Sequence, residues 1–419
     1  MSGERASRVH LHAVSEDARV TPIELFFDLV FVFSLTQVTA LMAGDLTASG
    51  LFRGMLVLAL LWWCWVGYAW LGNVVQADEG IGRVAMFGAM AAMFIMALTV
   101  PESFDDLPGR LSGPVVFAIG YLAVRLLHLS MFWLAGGGDP GLRRQLLRFM
   151  PSVLGSTALL LVASQLDGRA QTLTWIVVVA VDYVGTILAG ANGWRVNSAS
   201  HFAERHGLII IIALGESIVA IGAGVAQLPI SWSIIAASTL GLTLAGCMWW
   251  AYFDVVALVA ERVLRRARDE ERARLARDSY SYLHMPMVAG IVFAALGLKE
   301  VLRYVGDASD HALSQPLAAV PLVAMFGGVS LYLFAHVAFR WRNVHSINLQ
   351  RVIVGVVVLL LIWPSSTLPA LGALALLTAV MVTLISFEAI RFSDVRARIR
   401  HDEEIAVSRL SRRAADADP

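Results

Sequence analysis

The chain has 419 residues, 58% of them hydrophobic and only 15% charged, with a mean hydropathy of +0.70. A soluble domain averages about 45–50% apolar and about 25% charged, so a soluble globular protein is excluded and a lipid bilayer is the expected environment. Thirty-two Lys and Arg balance thirty-two Asp and Glu; with zero net charge and no Gly-rich phosphate loop, nucleic acid is not an expected partner.

Residues 1–20 are polar and contain no short apolar stretch before a small-residue cleavage site, so the first apolar span is expected to be retained. Twelve candidate spans follow, at about 24–43, 53–75, 84–100, 112–134, 149–166, 171–190, 205–226, 232–258, 281–299, 315–339, 349–363 and 367–391. Most approach the roughly 20 residues that a helix needs to cross a bilayer. The eleventh is short and runs into Trp363-Pro364-Ser365-Ser366, which leaves it as half of a helical hairpin or as a partly re-entrant segment.

The first span opens with Thr21, Pro22 and Glu24, a capping-box pattern in which the carboxylate serves backbone amides at the helix start. Asp28 lies one turn deeper on the same face, beyond capping reach, and is expected to bind an ion or proton or to pair with a buried Arg. Trp62, Trp63, Trp65, Tyr68 and Trp70 crowd the second span. A helix packed on one side cannot aim all of them inward, so some are expected to face lipid and others to line an aromatic pocket, suited to an organic cation or a polyene.

Arg125 and His128 share one face of the fourth span. A guanidinium does not readily shed its charge, so Arg125 demands a carboxylate, with Asp28, Asp182 in the sixth span and Glu216 in the seventh as candidates. In the seventh span Glu204 is expected near the cytoplasmic helix start, where a carboxylate suits the dipole. Glu216 stands about 18 Å further along at 1.5 Å per residue, near the bilayer midplane and between small residues. Ionisable groups at such depth are costly and usually face a partner or a wet cavity. His128 and His336 are read either as proton relays or as neutral interhelical hydrogen-bonding groups. Cys64 and Cys247 lie in apolar spans and are expected to be inert; no metal motif stands out, and no cofactor is expected.

Placing the amino terminus in the cytoplasm puts 26 of the 32 basic side chains on that side and 5 on the other, with Arg125 within a span. That bias predicts a cell-membrane protein with both termini cytoplasmic. The basic 259–279 loop is read chiefly as a topology determinant. An internal repeat is also expected: Gly120, His128 and Trp133 recur at a spacing of 208 as Gly328, His336 and Trp341. Trp62-Trp63 is echoed by Trp249-Trp250. Corresponding spans are six apart, so the fold class read from the sequence is an all-α membrane protein of about twelve helices in two parallel six-helix repeats. The boundaries follow as a tail at 1–19, repeats at 20–205 and 206–392, and a basic cytoplasmic tail at 393–419.

Glu24-Leu-Phe-Phe-Asp28-Leu-Val-Phe-Val-Phe, Trp62-Trp63 with Trp65-Val-Gly-Tyr68, His201-Phe-Ala-Glu-Arg-His-Gly207 and Gly215-Glu-Ser217 together resemble the bacterial low temperature requirement A family. The resemblance extends over roughly residues 20–390 and implies a multi-pass membrane protein with acidic helix residues; it carries no catalytic assignment. From the residues themselves, the expected function is a proton- or ion-coupled secondary transporter. Its pathway residues are Asp28, Arg125, His128, Asp182, Glu216 and His336, and its small ion or solute is unidentified. A cation or proton channel and an intramembrane enzyme acting on a lipid or isoprenoid are the alternatives, and a homo-oligomer is left open.

Overall fold

The computed structural model describes residues 15–394 apart from 17, 77, 79, 136–138, 191–192, 227 and 308–310, so most of both expected tails lies outside the described residues. Among the described residues the structure is helical, with one isolated bridge between Pro316 and Pro369. In the first half, α1 spans Pro22–Gly44, α2 Ala48–Val74, α3 Gly80–Leu98, α4 Gly113–Ala135, α5 Pro140–Ala163 and α6 Gly168–Ala189. In the second half, α7 spans Ala199–Val225, α8 Trp232–Phe253, α9 Val256–Arg266 and α10 Asp269–Leu275. A π-helical stretch, Ala276–Tyr282, leads into α11 (His284–Gly306), followed by α12 (Ala319–Val344), α13 (Leu349–Leu360), α14 (Ile362–Ser365) and α15 (Ala370–Arg391).

Eleven of the described helical segments are long and apolar enough to cross a membrane, and Leu349–Ser365 is a shorter apolar one. The protein is therefore an all-α multi-pass membrane protein. Its outer surface carries the apolar side chains that lipid tolerates, such as Leu29, Val84, Leu188 and Leu242. Polar residues set the helix starts: Ser198 accepts from the His201 amide and begins α7, and Asn348 accepts from Arg351 and begins α13. The short eleventh span breaks at Leu361, just ahead of Pro364.

Helix packing follows one order in each half. In the first, α1 packs on α2 and α3, α3 on α4, α4 on α5, α5 on α6, and α6 returns to α2. In the second, α7 packs on α8 and α11, α11 on α12, α12 on α13, α13 on α15, and α15 returns to α8. The halves meet where α1 and α2 lie against α7 and α11.

The expectation for the second span is corrected here. Trp62, Trp63, Trp65, Tyr68 and Trp70 are all buried, because α1, α4, α6, α7 and α11 surround α2 on every side. A helix apolar all round is a central helix. α11 is buried comparably, and its backbone meets that of α12 at Gly290 and Gly328. A Cβ built on Gly290 would lie 2.5 Å from the Gly328 carbonyl oxygen, and one on Gly328 2.6 Å from that of Gly290. Small residues permit this close approach, which supplies packing where lipid offers no hydrophobic drive between helices.

Candidate functional site

The densest polar cluster lies between the first turns of α1 and α7. Thr21 donates from its backbone N–H and its hydroxyl to Glu24 Oε2, both at 2.9 Å, and the first of these is the Glu24 half of a capping box. Glu24 does more than cap: Oε2 is 3.0 Å from His201 Nε2, and Oε1 accepts from Arg205 Nη1 at 3.2 Å. Arg205 Nη2 donates to Asp28 Oδ1 at 2.7 Å, and Trp65 Nε1 donates to the same oxygen at 2.7 Å. Arg205 Nη1 also reaches the Tyr68 carbonyl at 3.2 Å, and the guanidinium lies over the Trp65 ring, 5.6 Å from its centroid.

Glu24, Asp28, Arg205 and His201 are each 1% exposed or less, so their charges are taken up by one another. Counted formally, two carboxylates against one guanidinium leave one negative charge. Asp28 Oδ2 and Arg205 Nε are without hydrogen-bond partners. Asn73 of α2 braces the start of α7: its Oδ1 accepts from the Asn197 amide at 2.7 Å, and its Nδ2 donates to the Ser198 carbonyl at 2.6 Å.

A second buried group joins α4, α5 and α6. Arg125 Nη2 is 3.7 Å from Asp182 Oδ1, so Asp182 is the carboxylate that Arg125 requires. Asp182 takes its hydrogen bonds elsewhere, from the Tyr121 hydroxyl and, at 3.2 Å, from Ser156 Oγ. His128 lies alongside with its ring edge against the Gly67 backbone of α2, where a Cβ built on Gly67 would lie 3.1 Å from Nε2. Arg125, His128, Trp63, Trp70, Phe149 and Trp194 line a cavity of about 40 Å³. A single water needs about 10–15 Å³ of such space. The aromatic pocket expected of the second span is thus divided: Trp63 walls this cavity, whereas Trp62 stacks on Trp65 at 5.0 Å beside the α1–α7 cluster. Tyr68 binds the Val124 carbonyl at 2.9 Å.

Glu216 belongs to neither group. It is buried on α7 further along the α1 interface, where Thr36 Oγ1 is 2.7 Å from its Oε2. No basic side chain among the described residues lies within 4 Å of it; Lys299 of α11 acts at longer range. Thr36 Oγ1 is also 3.3 Å from the Val32 carbonyl oxygen. One hydroxyl proton serves one of these acceptors at a time, so an ionised Glu216 takes it, while a protonated Glu216 donates to Thr36 and frees it for Val32. The geometry accommodates either state.

His336 stands apart from all three groups, in an aromatic cluster of the second half. Its Nδ1 is 2.9 Å from the Tyr332 carbonyl oxygen and its ring packs against Tyr252, whose hydroxyl meets His284 Nε2 at 2.8 Å. Glu204 is exposed and accepts from the Val20 amide at 3.3 Å, in keeping with a helix-start role. Among the described residues no three His, Cys, Asp or Glu side chains converge as a metal site requires.

The structure thus joins Asp28 to Glu24, and Arg125 to Asp182 and His128, but does not bring the two groups or Glu216 together. Arg205, His201 and Asn73 were absent from the sequence-derived set. Arg205 follows the exposed Glu204 and so reads as part of a charged helix start. The available signal was the four-residue spacing from His201 to Arg205, which puts both on one face of the helix.

Two comparisons bear on this architecture. An uncharacterised protein of Rhizobium meliloti (strain 1021) is 29% identical over 289 residues, covering 65% of this chain and 67% of that protein. A family model described as bacterial low temperature requirement A protein matches residues 19–386, which include every helix from α1 to α14 and most of α15. The chain belongs to the bacterial low temperature requirement A family.

Proposed function

We propose that the protein is a proton- or ion-coupled carrier of the cell membrane, built as two parallel six-helix repeats with both termini in the cytoplasm. The observation that carries this reading is the placement of carboxyl groups along the α1–α7 contact. Glu24 and Asp28 share Arg205 near one end, and Glu216 lies deeper with a hydroxyl partner that suits both of its protonation states. The buried side chains between them include Phe27, Phe31 and Leu35 on α1 and Ile209, Ile210 and Ala213 on α7, and the two polar ones, Ser34 and His206, are bonded back to carbonyls of their own helices. Isolated charged stations separated by apolar packing favour a carrier over a channel, which needs a continuous polar path.

The repeat is supported by the recurring residues and by the matching packing order. Gly120 of α4 faces Met96 of α3, and Gly328 of α12 faces Gly290 of α11, the corresponding pair of spans. α1 and α7 are the first helices of the two repeats, so the carboxylate stations lie at the repeat interface, where carriers of this organisation place their sites. The arginine bias supports the orientation.

The test is proton movement in proteoliposomes holding a trapped pH dye, for wild type and for Glu216→Gln and Asp28→Asn, across ion gradients and a small solute panel. Saturable flux that Glu216→Gln abolishes while the protein stays folded supports a coupled carrier. Flux that does not saturate assigns a channel. Turnover of a lipid in detergent without any flux assigns an enzyme.

A further inference from the structure

A larger cavity, of about 320 Å³, lies where α8, α9, α12, α13 and α15 begin or end, at the same face of the membrane as the basic 259–279 segment. Trp250 belongs to the last turn of α8, Asn343 to that of α12 and Glu388 to that of α15, while Arg351 belongs to the first turn of α13. The volume falls in the range of about 300–1,000 Å³ typical of small-molecule sites. One wall is α9, which packs on α7, α8 and α12. This helix is amphipathic: Ala260 and Leu264 are buried, Arg266 is exposed, and Val256 and Val259 remain half-buried where they line the cavity.

Most of the lining is apolar, and its polar residues divide by what they hold. Glu388 accepts from Arg351 Nε at 3.0 Å and Nη2 at 2.9 Å and from Asn348 Nδ2 at 2.9 Å, so that pair is closed on itself. Asp254 also has a partner of its own. Arg340 differs. It is exposed, its Nε donates to Ser346 Oγ at 2.9 Å across the turn from α12 to α13, and neither Nη has a hydrogen-bond partner among the described residues. The guanidinium bordering the cavity is therefore accessible and held by one hydroxyl, with its outer N–H groups available to an oxyanion.

The cavity also adjoins surface suited to lipid. Trp250 both lines it and is 42% exposed, and Ile347, Leu349, Phe387 and Ile390, which flank its polar residues in sequence, are exposed as well. A soluble anion would engage Arg340 and leave the apolar walls uncovered; a lipid without a charged head would cover the walls and leave Arg340 unused. A phospholipid satisfies both, and basic pockets between membrane helices recognise such headgroups.

We propose that this cavity binds one phospholipid of the adjoining leaflet, with its phosphate on the Arg340 guanidinium and an acyl chain against Val256, Val259 and Phe339. The site is separate from the carboxylate stations of α1 and α7 and does not rest on the carrier reading.

The test is binding to delipidated full-length protein in detergent, read by native mass spectrometry and by the thermal unfolding midpoint. The probes are dioctanoyl phosphatidylglycerol, dioctanoylglycerol, which has the same chains without the phosphate, and inorganic phosphate. Saturable binding of one phosphatidylglycerol, tighter than either other probe and raising the midpoint, is expected. Arg340→Gln is expected to weaken it about tenfold or more, the loss of a charge-assisted hydrogen bond. Val259→Trp fills the space with a larger ring and is expected to abolish it, whereas Arg144→Gln, an exposed change on α5, leaves it intact. Absence of saturable lipid binding in folded wild type, or binding unchanged in folded Arg340→Gln or Val259→Trp, overturns the proposal. Dioctanoylglycerol binding as tightly as phosphatidylglycerol overturns the role of the phosphate, and inorganic phosphate binding as tightly overturns the lipid. Arg340→Gln, at an exposed side chain, decides the matter if Val259→Trp does not fold.

Discussion

Asp28 Oδ1 receives two donors at 2.7 Å, the Trp65 indole from α2 and the Arg205 guanidinium from α7, so a single carboxylate oxygen ties three helices together. Trp65 and Asp28 are both completely buried, which leaves no water to replace either donor. Trp65→Phe, which keeps the ring over Arg205, is expected to destabilise the protein by about 1.5–3 kcal/mol, the range for a hydrogen bond to a charged group. Chemical or thermal unfolding in detergent checks this value.

Removing Arg205 is a more severe change. Arg205→Met leaves Glu24 and Asp28 buried without their shared cation, and breaking a buried pair in this way costs about 3–5 kcal/mol. The triple change Glu24→Gln, Asp28→Asn and Arg205→Met removes all three charges at once and is expected to recover much of that loss. Comparing unfolding midpoints of the single and triple variants separates the two effects; a triple variant no more stable than Arg205→Met would show that the charges are not coupled.

Glycines in this chain should answer differently to the same substitution. Gly328→Ala drives a methyl group into the α11 backbone at Gly290 and is expected to cost roughly 1–3 kcal/mol through overpacking. Gly327→Ala, one residue away, meets nothing within 4 Å and is expected to be neutral or to gain up to about 1 kcal/mol from helix propensity. The pair is measured side by side by thermal unfolding, and equal effects would contradict the observed contact.

Thr36→Val tests the deeper station without touching a charged residue. It removes the hydroxyl 2.7 Å from Glu216 and leaves the carboxyl without that hydrogen bond. Under the proposed function, flux in proteoliposomes is expected to fall severalfold, whereas Thr36→Ser, which restores the hydroxyl, keeps most of it. Flux equal to wild type in folded Thr36→Val would remove Thr36 from the mechanism.

Asn73→Ala is expected to destabilise the protein by about 1–3 kcal/mol, because the backbone groups of Asn197 and Ser198 lose buried partners. The effect should concentrate at the start of α7 and be visible as faster amide exchange in residues 198–206.

The parts of this structure that depend on neighbouring residues were legible in the sequence. Thr21, Pro22 and Glu24 announce the start of α1, and the apolar runs locate the spans. The interruption at Trp363-Pro364 likewise marks where the eleventh span stops short. Pairings across the chain were not legible. Asp28 and Arg205 are 177 residues apart, and local pattern offers no means of choosing Arg205 over Arg125 as the partner. The all-round burial of α2 was missed for a related reason: an even distribution of aromatic residues has no preferred face, and only the number of helices around it decides whether such a helix touches lipid.

The central position of α2 also orders events during synthesis. The indole N–H groups of Trp62 and Trp70 find their acceptors on Ser281, 219 and 211 residues later in the chain. While the ribosome completes the intervening segments, α2 sits in the bilayer with these donors unmet and with aromatic faces destined for α7 and α11 turned toward lipid. The amino-terminal six helices therefore form an unfinished intermediate that waits for its core to be capped. If the two halves were produced as separate polypeptides, the first would depend on capturing the second to escape the quality-control proteases of the membrane.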